Sequence, residues 1–307
     1  MASIIVLGVF MADTTYRTSR MPRLGETIRG KSFTLGPGGK GSNQAVAAAK
    51  AGGTVHFVSA IGQDPFGDMA LATWQAAGVN PAVRREPATP TGAACILVDD
   101  TSGDNAIIIA PGAALTVSAA DIDANGALFT GASVFLTQLE QPIEAAVAGL
   151  ARARDAGAVT ILNPAPAAPL ADDVLRLTDI ITPNETEAEL LTGVRVTDEA
   201  TARQAADALI ARGVGSVMLT MGARGVLVVD RDGAELIPAM PAGEVVETTG
   251  AGDAFNGGLA VGLSEGKSPR DAAQFGCAVA GISVTRPGAA DSMPTRAEVD
   301  RLIAGKW

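Results

Sequence analysis

The chain has 307 residues, 47% of them apolar and 4% aromatic, and its 33 acidic and 23 basic residues leave a formal charge of −10. That balance excludes a nucleic-acid surface, because gripping a phosphate backbone needs clustered Lys and Arg. A small phosphorylated ligand is still open, since helix N-termini and a metal ion can handle one locally. The length suits one large α/β domain or two small ones.

The start, "SIIVLGVF" (3–10), predicts a buried strand. It is too short to span a membrane and has no basic flank, so it is not read as a signal peptide. Residues 13–37, "DTTYRTSRMPRLGETIRGKSFTLGP", are polar, alternating and turn-rich, which predicts small exposed strands. "NQAVAAAKAGG" (43–53) is a predicted helix with a Gly stop, "TVHFVSAIG" (54–62) a strand, and 66–78 a second helix ending at Gly78. "GAACILVDDTSGDNAIIIAPGA" (92–113) reads as a hairpin. The two hairpin-like insertions could pair into a small sheet beside the main domain.

From 133 onward the pattern is regular. "SVFLTQL", "VTILN", "DIITP", "SVMLT" and "GVLVVD" are predicted strands, with helices near 142–156, 185–192 and 198–212 between the first four. Such alternation predicts βαβ units and a mainly parallel sheet with helices on both faces. The end is predicted helical over about 251–264, 269–285 and 295–305. Cys95 and Cys277 are too few and too far apart for a zinc site or a disulfide framework, so reduced, cytosolic thiols are expected. His56, the one histidine, falls inside an apolar strand and is read as structural.

Four stretches carry chemistry. "GPGGKGSNQAVAAAKAG" (36–52) puts Gly38, Gly39 and Gly41 before Asn43 at a helix start, giving either a tight turn or a backbone that a ligand can approach closely. It fits neither a Walker loop nor the dinucleotide fingerprint. In "TPNETEAELLTG" (182–193), Asn184 can cap a helix whose first turns are crowded by Glu185, Glu187 and Glu189. Acids there answer the helix dipole; alternatively Asn184 and Glu187 orient the hydration shell of Mg²⁺. "LTMGARGVLV" (219–228) is a strand–turn–strand in which Thr220, Gly222 and Gly225 are either simple hairpin residues or face a nucleotide.

The fourth stretch, "ETTGAGDAF" (247–255), places small residues and Asp253 at a helix start. Asp253 could simply cap that helix. A helix N-terminus with bare N–H groups also suits an anion, and a carboxylate beside it suits a reacting hydroxyl. All four stretches fall at strand ends or helix starts, where open α/β sheets bind ligands.

"GGKGSNQA", "NPAPA", "TPNETEAELLTG", "TTGAGDAFNGGL" and "VTRPGA" closely resemble the ribokinase branch of the ribokinase/PfkB sugar kinase family, and the similarity runs over essentially the whole chain. The resemblance implies one ribokinase-like domain over 1–307, with a central, mainly parallel sheet and a small β-sheet lid from about 12–38 and 91–112. It implies an ATP-dependent kinase acting on the 5-hydroxyl of D-ribose, using Mg²⁺, activated by K⁺, cytoplasmic, and often a homodimer through the lid. Asp253 is then the base, with the N–H groups of Gly250, Ala251 and Gly252 receiving the transferred phosphoryl. The sugar lies against Met11, Asp13, Gly39, Lys40, Asn43 and Glu140. ATP lies along Asn184, Thr220, Gly222, Gly225 and Gly252, with Cys277 near the adenine but without a catalytic role. Glu187 supports Mg²⁺ through water, and Glu247, Thr249, Ser283, Arg286, Gly288 and Ser292 surround the monovalent cation.

Two residues depart from the family pattern. Met11 stands where the family has Asn, which opens a 2-deoxy-D-ribose kinase as an alternative. Glu247 replaces the usual Asp at the cation site, so K⁺ activation is expected to be weakened. A nucleoside kinase of the same family and a non-catalytic sugar sensor are further alternatives; the intact Asp253 and its glycines argue against the sensor.

Overall fold

The computed structural model describes residues 2–306. Its strands are β1 (Ser3–Leu7), β2 (Met11–Thr18), β3 (Ser32–Gly38), β4 (Thr54–Gly62), β5 (Asn80–Glu86), β6 (Thr91–Asp99), β7 (Asn105–Gly112), β8 (Ala132–Thr137), β9 (Val159–Leu162), β10 (Ile180–Ile181), β11 (Ser216–Thr220), β12 (Val226–Asp230) and β13 (Gly233–Ile237). Its helices are α1 (Lys40–Lys50), α2 (Pro65–Ala77), α3 (Ala119–Ala124), α4 (Ile143–Asp155), α5 (Asp172–Arg176), α6 (Glu185–Thr192), α7 (Glu199–Ala211), α8 (Ala251–Ser264), α9 (Pro269–Ser283) and α10 (Arg296–Ile303).

Nine strands form the main sheet in the order β13-β12-β11-β10-β9-β8-β1-β4-β5. The strands from β11 to β5 run parallel, and β12 and β13 turn back antiparallel at one edge. In the central strand β1, side chains alternate between two cores. Ile4 and Val6 join a core with residues of α1, α2, α8, α9 and α10, while Ile5 and Leu7 join another with residues of α3 to α7. The sheet is therefore covered on both faces, and the continuous apolar run of β1 follows from burial on both sides. Trp74 anchors the first core, fully buried against Phe10 and Phe57, with its indole N–H donating to Ser42 Oγ on α1 at 2.9 Å.

The second sheet, β3-β2-β6-β7, pairs the two insertions: β2 lies antiparallel to β3 and parallel to β6, and β6 is antiparallel to β7. It exposes apolar side chains on both faces, Tyr16, Phe33, Leu35 and Ile108 on one and Ile107 and Ile109 on the other. No helix among the described residues is long and apolar enough to cross a membrane.

Several elements differ from the sequence expectation. Residues 80–86 form β5, although Pro81 sits inside; β5 is an edge strand paired only with β4, so the missing N–H can face away from the ladder. Gly233–Ile237 adds β13 after a tight turn, and α3 and α5 are short helices between the predicted ones. The run "DIITP" contributes only two ladder residues, because the chain leaves the sheet at once to enter α6.

Candidate active site

The parallel strands deliver their carboxyl ends to one rim of the sheet, and a cleft of about 180 Å³ opens there. Asn163, Thr182 and Thr220 come to it from the ends of β9, β10 and β11, Asn184 and Glu187 from the start of α6, and Gly250 to Asp253 from the start of α8. Lys40 reaches it from the first turn of α1.

The entry to α8 explains why that stretch is so small. Gly250 is the N-cap in a left-handed conformation (φ 77°), and no side chain caps the helix. A Cβ on Gly250 would press on Ala289 at 3.1 Å, whereas one on Gly252 would meet open space. Asp253 is not a cap: its Oδ2 accepts from Asn43 Nδ2 and its Oδ1 from Gln44 Nε2, both at 3.0 Å. The N–H groups of Gly250, Gly252 and Asp253 find no protein acceptor among the described residues. Ala251 differs from expectation, because the turn into the helix closes a hydrogen bond from its N–H to the Thr248 carbonyl at 3.1 Å.

The glycines of 38–41 serve the chain's own close packing as well as any ligand. Gly39 has φ 88°, and a Cβ there would lie 2.5 Å from the Val9 carbonyl oxygen; one on Gly41 would lie 2.6 Å from Gly8 Cα. This approach pushes α1 under the β1–β2 connection. Asn43, expected at a helix start, lies in the first turn of α1 and turns its amide to Asp253.

Three carboxyl groups and one ammonium crowd together here, with Glu187 a fourth carboxyl on the wall of the cleft. Asp253 has 8% of its surface exposed, and burial pushes its pKa up, opposed by the Lys40 charge and the Asn43 and Gln44 donors. Glu140 follows β8, accepts from the Lys40 backbone N–H at 2.8 Å, and is pushed up to about 7 by burial, with Asp253 and Asp13 adding to the rise. Burial alone pushes Asp13 up to about 6, and its carboxylate lies against Gly38, where a Cβ would come within 2.1 Å of it. Asp13, Lys40, Asn43, Glu140 and Asp253 thus form one cluster, drawn from strand β2, helices α1 and α8 and the end of β8. Met11 shares the face of β2 with Asp13, is 4% exposed, and packs with Val9 and Ala114.

Asn184 and Glu187 cap each other reciprocally: Glu187 N donates to Asn184 Oδ1 at 2.8 Å and Asn184 N to Glu187 Oε2 at 2.9 Å. Glu187 Oε1 has no protein hydrogen bond among the described residues, so it is available to a metal-bound water. Thr220 is bridged to Asn184 beside the cleft. Gly222, Gly225 and Cys277 do not line that cleft. Gly225 has φ 107°, and a Cβ there would strike the Ile237 carbonyl oxygen at 2.1 Å, so both angle and packing require glycine. Cys277 is buried in the core on α9, which pushes its thiol up to about 12. His56 is half-buried near the amino end of β4, away from the rim.

At the proposed cation site, Glu247 Oε2 accepts from Gly288 N at 2.9 Å, which ties the 247–249 segment to the loop carrying Arg286 and Gly288. Ser283 and Ser292 are buried, with their hydroxyls donating to the Ala280 and Ala289 carbonyls. Sequence reasoning missed the layer behind Asp253, formed by Gln44, Gln138, Asn163, Thr182 and Asn256. Its signal was polar residues inside apolar segments, such as Asn256 in "DAFNGGLAVGL".

A buried carboxylate beside an open helix N-terminus, at the carboxyl rim of a parallel sheet, defines a phosphotransferase of the α/β type. The chain belongs to the pfkB family of carbohydrate kinases, whose model matches residues 1–296. The chain is 40% identical over 297 residues to the ribokinase of Haemophilus influenzae, covering 96% of each. It is 35% identical over 303 residues to the deoxyribokinase of Salmonella typhi, covering 98% of each. Its fold matches the Arabidopsis thaliana ribokinase solved with ribose and ATP at a TM-score of 0.94, with 32% identity and 99% of each chain covered.

Proposed function

We propose that the chain transfers the γ-phosphoryl group of ATP to the 5-hydroxyl of D-ribose, yielding ribose 5-phosphate and ADP. The observation that carries this is Asp253, buried and fixed by two amide donors beside the open N–H groups of α8. The Asp253 carboxylate accepts the hydroxyl proton as the sugar oxygen bonds to the γ-phosphorus and the bond to the ADP oxygen breaks. In a loose transition state the proton leaves late, so a carboxylate of modest basicity suffices. The free N–H groups of Gly250 and Gly252, with Lys40, offset the charge on the transferred group. Asp13, Glu140 and Asn43 surround the sugar as hydrogen-bonding partners, and ATP takes the cleft between Asn184, Thr220 and Gly252, reaching towards Gly222, Gly225 and Cys277.

Mg²⁺ bound to the phosphates would neutralise their charge, and Glu187 would hold one of its waters through Oε1. The loops at Glu247, Thr249, Ser283, Arg286, Gly288 and Ser292 would take K⁺, with weakened activation because Glu247 already accepts the Gly288 N–H. We place the protein in the cytoplasm, with the small sheet acting as lid and as the contact of a homodimer.

Sugar-dependent ADP formation tests the reaction. Asp253→Asn should lower kcat by roughly 10²–10⁴-fold; a fully active variant removes the base assignment. Equal rates in K⁺-only and Na⁺-only buffers would remove the cation reading.

Met11 favours a second reading, a preference for 2-deoxy-D-ribose. Its side chain packs with Val9 and Ala114 and offers no amide to a 2-hydroxyl, so discrimination there rests on an apolar contact of about 1–3 kcal/mol. Met11→Asn should shift the ratio of kcat/KM for ribose over deoxyribose upward by roughly 10–100-fold. An unchanged ratio means that Met11 does not read that position.

A further inference from the structure

Gln44, one of the two amide donors to Asp253, stands directly behind it, fully buried and outside the set of residues placed against sugar or nucleotide. Its Nε2 donates both to Asp253 Oδ1 at 3.0 Å and to Asn163 Oδ1 at 3.1 Å, while its Oε1 accepts from Gln138 Nε2. The direction of this chain is set at its far end. The Thr182 carbonyl can only accept, so Asn163 turns its NH₂ to it at 3.1 Å and presents Oδ1 to Gln44. Gln44 must answer with NH₂, because the reversed amide would set Oε1 against two oxygens. Gln138 then supplies the donor that Gln44 Oε1 needs.

Asp253 Oδ1 is therefore always met by an N–H. We propose that Gln44 is a positioning residue for Asp253: it fixes the plane of the carboxylate, together with Asn43 on Oδ2, and keeps it an acceptor ready for the substrate's proton. The close crossing of α1 and α8 makes this rigid, since a Cβ on Gly257 would lie 2.8 Å from the Gln44 carbonyl oxygen and 2.6 Å from Ala47 Cβ. The charged groups around Asp253 are Lys40, which favours its ionised form, and Glu140 and Glu187, both of which feel its charge. Gln44 adds a neutral donor to that set and is shielded from the cleft by the carboxylate it holds.

The role rests on Asp253 being the base, so Gln44→Met and Asp253→Asn are measured side by side with D-ribose and MgATP. Gln44→Met keeps the side-chain length and removes both donors. The single-turnover rate should fall about 30-fold with KM values within about threefold, as expected when an interaction of the transition state is lost. The acid limb of the kcat–pH profile should move upward, because the charged carboxylate has lost a donor. A purely space-filling Gln44 would leave that limb in place. An unchanged rate and profile in Gln44→Met beside an inactive Asp253→Asn overturns the positioning role alone; an active Asp253→Asn overturns both. Should Gln44→Met not fold, Gln138→Met removes the donor to Gln44 Oε1 one layer further out. It should give the same signature at roughly tenfold, and a wild-type rate and profile there would overturn the proposal.

Discussion

Glu140 shows how one residue in this site couples binding to stability. Burial pushes it up to about 7 from an ordinary 4.5, and Asp13 and Asp253 reinforce the rise while Lys40 opposes it. A carboxyl whose folded pKa is raised binds more protons folded than unfolded. Its stabilising contribution is therefore complete below about 4.5 and is lost as pH rises towards 7. Glu140→Gln cannot ionise, so its melting temperature should gain on the wild type between pH 5 and pH 8, by up to about 3 kcal/mol in stability. A constant difference between the two proteins across that range would show that Glu140 is already charged in the folded apo state. Saturating sugar should shrink the gap, because hydroxyl donors favour the carboxylate.

At the scale of elements, the site is made by helix α1 being driven against helix α8. Gly257 faces Ala47 and the Gln44 carbonyl, and Gly258 faces Gly276 on α9. Gly257→Val would force α1 away and so pull Asn43 and Gln44 off Asp253. Overpacking of this kind costs about 1–3 kcal/mol, read as a lower urea midpoint, and kcat should fall further than the stability loss alone explains. A variant with the lower midpoint but wild-type kcat would show that the α1–α8 spacing does not set the carboxylate's geometry.

The same elements show what could be read from the chain. The start of α8 was legible because a Gly-rich turn leading into an apolar helix is locally unusual. The alternation after residue 133 gave the parallel sheet. β5 was hidden by Pro81 and the charged Arg84 and Arg85, since an edge strand tolerates both and Arg84 is held by Asp121 at 2.8 Å. The amide layer was illegible for another reason: Gln44 meets Asn163 and Gln138 across 119 and 94 residues of sequence, and no local pattern encodes such a meeting. The glycines of 38–41 stand out in the sequence as unusual, and the close approach seen at Gly39 and Gly41 is to the chain's own backbone at Val9 and Gly8.

For the whole molecule, the small sheet raises the question of what covers it. Ile108 is 70% exposed on the face that also exposes Leu35, Tyr16 and Phe33, the two rings lying 5.0 Å apart across the neighbouring strands β2 and β3. A contiguous apolar surface on a thin sheet favours a partner, and the proposed homodimer supplies one. Ile108→Glu should leave a monomer in size-exclusion chromatography with light scattering, with reduced kcat/KM if the lid depends on its mate for order. A wild-type protein that is already monomeric under assay conditions would remove the dimer.

Trp74 gives the molecule an optical handle. Its indole is fully buried and hydrogen-bonded to Ser42, the neighbour of Asn43 in the first turn of α1. The sequence's other tryptophan is Trp307, so Trp307→Phe leaves a single tryptophan, wired to the helix that carries the site and excited apart from Tyr16 at the red edge of absorption. Its emission should be blue-shifted at rest, and any sugar or nucleotide that moves α1 will be visible as a change in intensity, without a label and on the stopped-flow timescale.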